Sequence, residues 1–528
     1  MNRNTGTNTR RHGTAFHHSY MRVALKVFVA SLAVFSAACA ARAATCESLA
    51  TLVLPDTTIV LAKLEPAGVE LNLPGPPLGS LPTFCRVTGE IKPTKDSNIK
   101  FEVWMPASGW NHKLMGIGNG GWSGIIWYSD MSDALQRGYA TASTDTGHEG
   151  SPGDASFALG HPEQLIDFGH RAFHETTVKA QAIVSAYYGD APKHSYWNGC
   201  STGGKQGLTE AQRYPRDYDG IIAGAPANFW THLMFSGIWI GEATHENPIS
   251  YLPKEKYSVL HRAVIEVCDS LDGVKDGVLE NPKKCHFDPK ALQCKDADGP
   301  DCLTAAQVEA AKKIYAGPKN PRTGEQIFPG LEPGSENVWS FFAGGSGSEP
   351  PIVASHFKYL VFDDPKWDYR TLNFDSDVTL ADKLDKGVLN AIDPNLTEFF
   401  AQGGKLLLYH GWNDAAIAPQ NTVNYYNSVV AAMGGLNKVT NSMRLFMAPG
   451  VNHCDGGDGP FDFDSIGVLE EWVERGKVPD RIVAAHFPRG AQPAKPDRTR
   501  PLCAYPQVAK YKGSGSTDDA SNFVCTNE

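Results

Sequence analysis

Tyr196-Trp197-Asn198-Gly199-Cys200-Ser201-Thr202-Gly203 is the stretch from which the architecture of this chain can be read. Ser195 to Trp197 ends a short strand, and Lys205 to Arg213 can form the helix that follows. Between them stands Gly-x-Ser-x-Gly, the pattern of a strained strand-to-helix turn that lifts a serine hydroxyl clear of a sheet. The amides opening the next helix favour developing negative charge. Gly and Ser are common in surface turns, so Ser201 needs partners elsewhere in the chain before it reads as a nucleophile.

The flanking sequence supports a sheet. Ile99 to Pro106, Lys113 to Ile117 and Gly138 to Thr144 read as strands, and His170 to Tyr188 has helical spacing of apolar residues, an α/β alternation. The alternation breaks between about Asn228 and Asn390, where helices are separated by Pro/Gly/Asp-rich loops. It resumes with Lys405 to Tyr409, Met443 to Met447 and a helix from Asp464 to Glu474. The expected organisation is therefore a core of residues 44–227 and 391–528 with an insertion at 228–390. A length of 528 residues is more than one ordinary compact core accommodates. The net charge of −10 comes from dispersed acids with no long basic run, which argues against nucleic acid as a partner. Nothing in the sequence sets the oligomeric state.

Residues 1–43 read as a secretory signal: Met21 to Lys26 is basic, Val27 to Ala38 is apolar but too short to span a bilayer comfortably, and Ala41-Arg42-Ala43 is a small-x-small cleavage site. A retained anchor and a lipoprotein signal ending at Cys39 are the alternatives. No later stretch is expected to span a membrane, and the expected location is secreted or periplasmic. Of eleven cysteines, ten lie beyond the signal, and an even set in an exported chain reads as disulfides. Local spacing pairs Cys46 with Cys85, Cys268 with Cys285, Cys294 with Cys302, and Cys503 with Cys525. Cys200 and Cys454 remain.

Partners for Ser201 occur in the order serine, acid, histidine. Asp414 follows the strand Lys405 to Tyr409, and His453 follows Met443 to Met447, so both stand at C-terminal strand ends, where such sheets place function. Asp414 could instead cap the next helix, with Asp455, Asp458 or Asp462 as the acid. His410 is the other candidate base, but it precedes Asp414 and breaks the order. Cys200 directly precedes Ser201 and Cys454 directly follows His453, so a bond between them would clamp serine to histidine. The backbone amides of Thr202, Gly120 and Gly121 are candidate oxyanion donors. Gly116-x-Gly118-x-x-Gly121 also matches a dinucleotide fingerprint, but the aromatic segment after it, broken by Gly124, and the lack of an acid-ended strand about 20 residues on argue against that. The loop Cys268 to Val278 places Asp269, Asp272 and Asp276 among glycines, hard ligands that suit calcium at a spacing unlike an EF-hand; a solvated acidic turn is the alternative.

Cys200-Ser201, Asp414 and His453-Cys454 together resemble the hallmark of the tannase and feruloyl esterase family, which also includes a hydrolase of mono(hydroxyethyl) terephthalate. The resemblance covers essentially the whole mature chain. It implies an α/β-hydrolase core whose insertion is a lid, and a structural Ca2+ held by the side chains of Asp269, Asp272 and Asp276 and the carbonyls of Val274 and Val278. It further implies a serine esterase acting on small aromatic esters, such as those of hydroxycinnamic or gallic acids, with Ser201 forming an acyl-enzyme that water hydrolyses through His453. In the terephthalate hydrolase an aromatic residue lies three positions after the catalytic Asp, whereas here it is Ile417. Arg322 and Arg370, in the lid, are carboxylate-binding candidates or simply surface residues. A non-catalytic surface-binding protein with a hydrolase fold is the reading from another class; the intact Ser201, Asp414 and His453 set argues against it.

Overall fold

Leu406, Leu407 and Leu408 are all fully buried, which marks their strand as covered on both faces and therefore as part of a parallel sheet. The computed structural model describes residues 44–245, 248–344, 351–488 and 495–527; the expected signal at 1–43 lies outside them. Nine strands form one sheet: β1 (Thr57–Glu65), β2 (Phe84–Ile91), β3 (Ile99–Pro106), β4 (Lys113–Ile117), β5 (Ala140–Thr144), β6 (His194–Cys200), β7 (Gly220–Gly224), β8 (Lys405–Gly411) and β9 (Met443–Ala448). Their spatial order is β1-β2-β3-β5-β4-β6-β7-β8-β9. β1, β2, β3 and β5 pair antiparallel, and from β5 through β9 every pairing is parallel.

Alternate residues of each central strand feed opposite layers, as the strand period of two requires. Trp197, Ile221, Leu406, Leu408 and Leu445 pack with Leu208 and Val423, from the helices Thr202–Arg213 and Gln420–Ala432. Tyr196, Ile222, Leu407 and Phe446 pack on the other side with Leu135 and Trp472, from the helices Tyr128–Gln136 and Ser465–Arg475. Each buried leucine stabilises this arrangement by about 1.5–3 kcal/mol relative to exposure. The chain is thus α/β, and its sheet sandwiched between helices has the form of an α/β-hydrolase core.

Several expected boundaries shift. β6 continues to Cys200, so Ser201 is the first residue beyond the strand, and the next helix starts at Thr202 instead of Lys205. The expected helix from His170 begins at Ala172, after a wider turn at Asp167–Arg171. β1, β2 and β7, which the apolar pattern of the sequence does not mark, complete the sheet.

The insertion lies between β7 and β8. Its residues Trp230, Phe235, Leu260, Ile314 and Trp339 share one apolar cluster with Trp122, Phe168 and Ala415 to Ala418, which lie on segments leaving the C-terminal ends of β4, β5 and β8. The inserted segment is therefore anchored where parallel α/β sheets bind ligands. Disulfides join Cys46 to Cys85, Cys200 to Cys454, Cys268 to Cys285, Cys294 to Cys302 and Cys503 to Cys525. Among the described residues no helix is long and apolar enough to cross a membrane.

Candidate active site

Ser201 sits at φ 64° and ψ −121°, a conformation that costs a non-glycine residue on the order of 1–3 kcal/mol and persists only where its surroundings impose it. They do so here. Ser201 N donates to Gly224 O at 3.0 Å, while Ser201 O accepts from Lys205 N at 3.0 Å and Ala227 N at 3.1 Å. The turn also requires its glycines: a Cβ on Gly199 would come within 2.5 Å of the Gly203 backbone, and one on Gly118 within 2.5 Å of Gly203 Cα.

That contact brings the segment after β4 onto the elbow. Gly203 N donates to Asn119 O at 2.7 Å, and Thr202 Oγ1 donates to Gly121 O at 2.9 Å. Asn119 and Gln206 exchange two hydrogen bonds, of 2.9 and 3.0 Å, which lock the glycine loop to the helix. The N–H groups of Thr202, Gly120 and Gly121 donate to no acceptor among the described residues. The loop thus serves the elbow, and the dinucleotide reading has no support from its surroundings.

Asp414 stands on the turn after β8 with its side chain wholly buried. Its Oδ1 accepts from Ala416 N at 2.7 Å and Ile417 N at 2.9 Å. Its Oδ2 accepts from His453 Nδ1 at 2.7 Å and His410 Nε2 at 2.9 Å. One oxygen closes the local turn and the other orients an imidazole; Asp414 does not cap the next helix, which begins at Gln420 after Pro419 with no side-chain cap. A buried carboxylate that only accepts requires hydrogens on His453 Nδ1 and His410 Nε2, which leaves His453 Nε2 with the lone pair. Burial would raise the Asp414 carboxyl, but the adjacent His453 and the hydrogen bonds from both imidazoles outweigh it and hold it well below the ordinary carboxylate range. For His453, burial is the largest single influence and acts downward, but the Asp414 charge, the hydrogen bond to Asp414 and the Asp455 charge together outweigh it, so its pKa lies above the ordinary histidine value.

His410 is the residue whose part the sequence did not disclose. It is fully buried, shares its Nε2 hydrogen between Asp414 and Ile417 O at 3.0 Å, and meets Thr422 Oγ1 through Nδ1 at 2.7 Å. It holds the acid; its only hint in the sequence was its place four residues before Asp414. Among the described residues the side chains of Asp455, Asp458 and Asp462 make no hydrogen bond to the His453 ring; Asp455 meets His453 only through the main chain, its N donating to His453 O at 2.8 Å.

The bond between Cys200 and Cys454 spans 254 residues of sequence with the two Cα atoms 5.9 Å apart. Ser201 and His453 are chain neighbours of these cysteines, so their Cα atoms are held within about 13.5 Å of each other. Cys454 is itself in the left-handed region, at φ 67°, so the turns on both sides of the bridge are strained.

Ile417 is buried in the apolar cluster that seats the insertion. Arg322 and Arg370 are exposed, paired with Asp375 at 2.7 Å and Asp368 at 2.6 Å, which makes them surface residues. Phe341, on the insertion, presents a half-exposed ring whose centroid lies 6.3 Å from that of His453.

In the acidic loop, Asp269 Oδ1 accepts from Asp276 N at 3.2 Å and Gly277 N at 3.0 Å, and Asp272 accepts from Val274 N at 2.9 Å and Glu280 N at 3.3 Å. The carbonyls of Val274 and Val278, two buried residues, accept from no described donor. Burial, then the charges of Asp276 and Asp269, push the Asp272 carboxyl up to about 6. Asp276 is also paired with Arg500, and Arg498 lies 3.8 Å away, which offsets part of the loop's charge. The donor set is one of hard oxygens, as calcium prefers, although the three carboxylates do not close into a tight group.

A sequence model described as "Tannase and feruloyl esterase" matches residues 85–526. An uncharacterized esterase of Xanthomonas campestris pv. campestris is 40% identical over 519 residues, covering 90% of this chain and 90% of that protein. The crystal structure of feruloyl esterase B from Aspergillus oryzae superimposes with a TM-score of 0.85 at 28% identity, covering 91% of this chain and 99% of that one. Tannin acyl hydrolase from Aspergillus niger shares the fold, with a TM-score of 0.76 at 21% identity over 90% of this chain and 93% of that one. With an elbow serine, an imidazole–carboxylate pair and these relatives, the chain belongs to the tannase and feruloyl esterase family and is a carboxylic ester hydrolase.

Proposed function

We propose that this protein is an exported serine esterase that hydrolyses esters of aromatic acids of the hydroxycinnamic or gallic type. The observation that carries the reading is the covalent tie between the strained Ser201 elbow and the Asp414–His453 pair through Cys200 and Cys454. His453 Nε2 takes the Ser201 proton as the hydroxyl attacks the ester carbonyl, and Asp414 stabilises the imidazolium that forms. The unengaged amides of Thr202, Gly120 and Gly121 receive the negative oxygen. Loss of the alcohol leaves an acyl-Ser201, which water activated by His453 then cleaves. The ring of Phe341 beside His453 offers an aromatic acid a stacking surface worth about 0.5–1.5 kcal/mol beyond burial. Ile417 puts no aromatic ring at the position that has one in the terephthalate hydrolase. Export rests on the N-terminal sequence and the five disulfides.

The decisive experiment is a panel of methyl ferulate, methyl gallate, chlorogenate and mono(hydroxyethyl) terephthalate with the purified protein. Turnover of a hydroxycinnamate or gallate ester at kcat/KM at least tenfold above terephthalate monoester is expected; preference for the last, or for simple acetates, refutes the assignment.

The pH dependence follows from the His453 shift. A base must be neutral, so kcat/KM falls as pH drops through a value above the ordinary 6.5, and Asp414→Asn moves that limb to lower pH. The His453 shift acts oppositely on stability: its contribution is full below the unfolded imidazole value and is lost as pH rises through the folded one, while that of the lowered Asp414 is present above the unfolded carboxylate value and lost as pH falls through the folded one. A pH–rate profile whose acid limb lies at or below 6.5 contradicts the proposed base.

We further propose that Asp269, Asp272, Asp276 and the carbonyls of Val274 and Val278 hold a structural Ca2+. The ion would offset carboxylates crowded in a loop closed by the bond between Cys268 and Cys285. Chelation with EGTA is expected to lower Tm by several degrees and calcium to restore it, with kcat of the folded enzyme little changed; a Tm indifferent to both removes the site.

A further inference from the structure

A second group of potential ligands lies on the far side of the nucleophile helix. His174, on the helix Ala172–Tyr188, Glu210, on Thr202–Arg213, and Asp217, in the loop before β7, place one ligand atom each within 4.8 Å of one another. They are the one such group of histidine, cysteine or carboxylate side chains among the described residues. Glu210 is nine residues beyond Ser201, about 13 Å along the helix axis, so the group is separate from the elbow.

Glu210 is the anomaly. It is 1% exposed, and neither of its carboxylate oxygens accepts from an N–H or hydroxyl donor among the described residues; its one side-chain hydrogen-bond contact is with the second carboxyl, Asp217. An unpaired buried carboxylate costs several kcal/mol or more, so the group must be neutralised by a proton or by a cation. The neighbours favour a cation. Asp217 faces Glu210 with a second carboxyl, and His174 Nδ1 meets Asp217 Oδ2 at 2.6 Å, so one imidazole and two carboxyls converge on one point. The imidazole is held for that purpose: the Tyr214 ring stacks on it at 3.8 Å and 6°, and Tyr214 Oη is itself fixed at 2.8 Å from His170 Nδ1. Asp217 is anchored through its own carbonyl, which accepts from Gln181 Nε2 at 3.1 Å. The side chains of His174 and Asp217 are 25% and 13% exposed, which leaves an ion a way in to the buried Glu210.

We propose that His174, Glu210 and Asp217 form a binding site for a divalent transition-metal ion, with Zn2+ as the ion whose ligand preferences it meets. One imidazole nitrogen and two carboxylate oxygens are borderline donors suited to zinc, with water as the fourth ligand, whereas calcium and magnesium take oxygen alone. The ion would join two helices and the β7 approach, so its effect is on stability and not on the ester chemistry.

The test uses the full mature enzyme, free of any affinity tag and stripped by chelator, titrated with ZnCl2 against a chromophoric competitor. About one zinc per chain that survives gel filtration is expected, with a Tm that rises with zinc concentration. Glu210→Gln and His174→Gln should each weaken zinc at least tenfold and abolish the Tm response, while Asp272→Asn, in the calcium loop, leaves zinc binding intact. Glutamine mimics a protonated Glu210, so if a shared proton were the whole explanation, Glu210→Gln would melt like the parent and zinc would not move the Tm of either. That result overturns the proposal, as does absence of stoichiometric zinc in the parent, or zinc lost through Asp272→Asn and retained by Glu210→Gln.

Discussion

Ser201→Ala is expected to lower kcat for methyl ferulate or methyl gallate by at least about 10⁴-fold, with circular dichroism unchanged. The magnitude follows from the removal of the atom that forms the acyl-enzyme: without it neither the His453 base nor the amides of Thr202, Gly120 and Gly121 have a covalent path to assist. Alanine keeps the hydrogen bonds of the Ser201 main chain to Gly224, Lys205 and Ala227, so the turn keeps its form. His453→Ala should cost nearly as much, and the double variant little more than either alone, because the two groups act in one step. Retention of more than a hundredth of the parent kcat by Ser201→Ala, in protein free of parent enzyme, would show that Ser201 is not the nucleophile.

The second large effect belongs to the bridge beside the site. Replacing Cys200 and Cys454 together by alanine opens a closed loop of more than 250 residues, for which the chain-entropy model gives about 5 kcal/mol at the upper end and typical removals about 2–5 kcal/mol. A fall in thermal midpoint is therefore expected. Activity should fall as well, by on the order of 10²-fold in kcat, because displacement of a base by about 1 Å from its nucleophile has that consequence. The turns at Ser201 and Cys454 both carry positive φ, and the bridge is one of the restraints that keep them there. Denatured but unreduced protein should show no free thiol among the ten bridged cysteines. A double variant with parental kcat and midpoint, or free thiols at both positions in the parent, would end the idea of a clamp.

Legibility in the sequence followed burial. β3, with Lys100 and Glu102 alternating with apolar residues, and β4 lie at the expected bounds, and β8 and β9 extend by two residues and one residue, because strands covered on both faces, as β8 and β9 are, form continuous hydrophobic segments that little else resembles. β1 mixes buried and exposed residues at the sheet's edge, and β7 is the five-residue Gly-Ile-Ile-Ala-Gly; neither offers enough pattern to separate from a loop. Four disulfides were readable as local pairs because short loops bring cysteines together at little entropic cost, and the fifth followed by elimination.

Identity and order of residues were therefore determined by the sequence alone: the Gly-x-Ser-x-Gly turn between strand and helix, the order Ser201, Asp414, His453, and the two cysteines beside them. Only the tertiary structure decided that Asp414 serves His453 with one oxygen and its own turn with the other, that His410 holds it from within, and that Arg322 and Arg370 face solvent. It alone set Glu210 beside His174 and Asp217. Each of these depends on which side chains meet across segments far apart in sequence, and on which charges lose water when they meet. A linear pattern reports the periodicity of burial along one element; the partner a buried polar group finds is fixed by the packing of several.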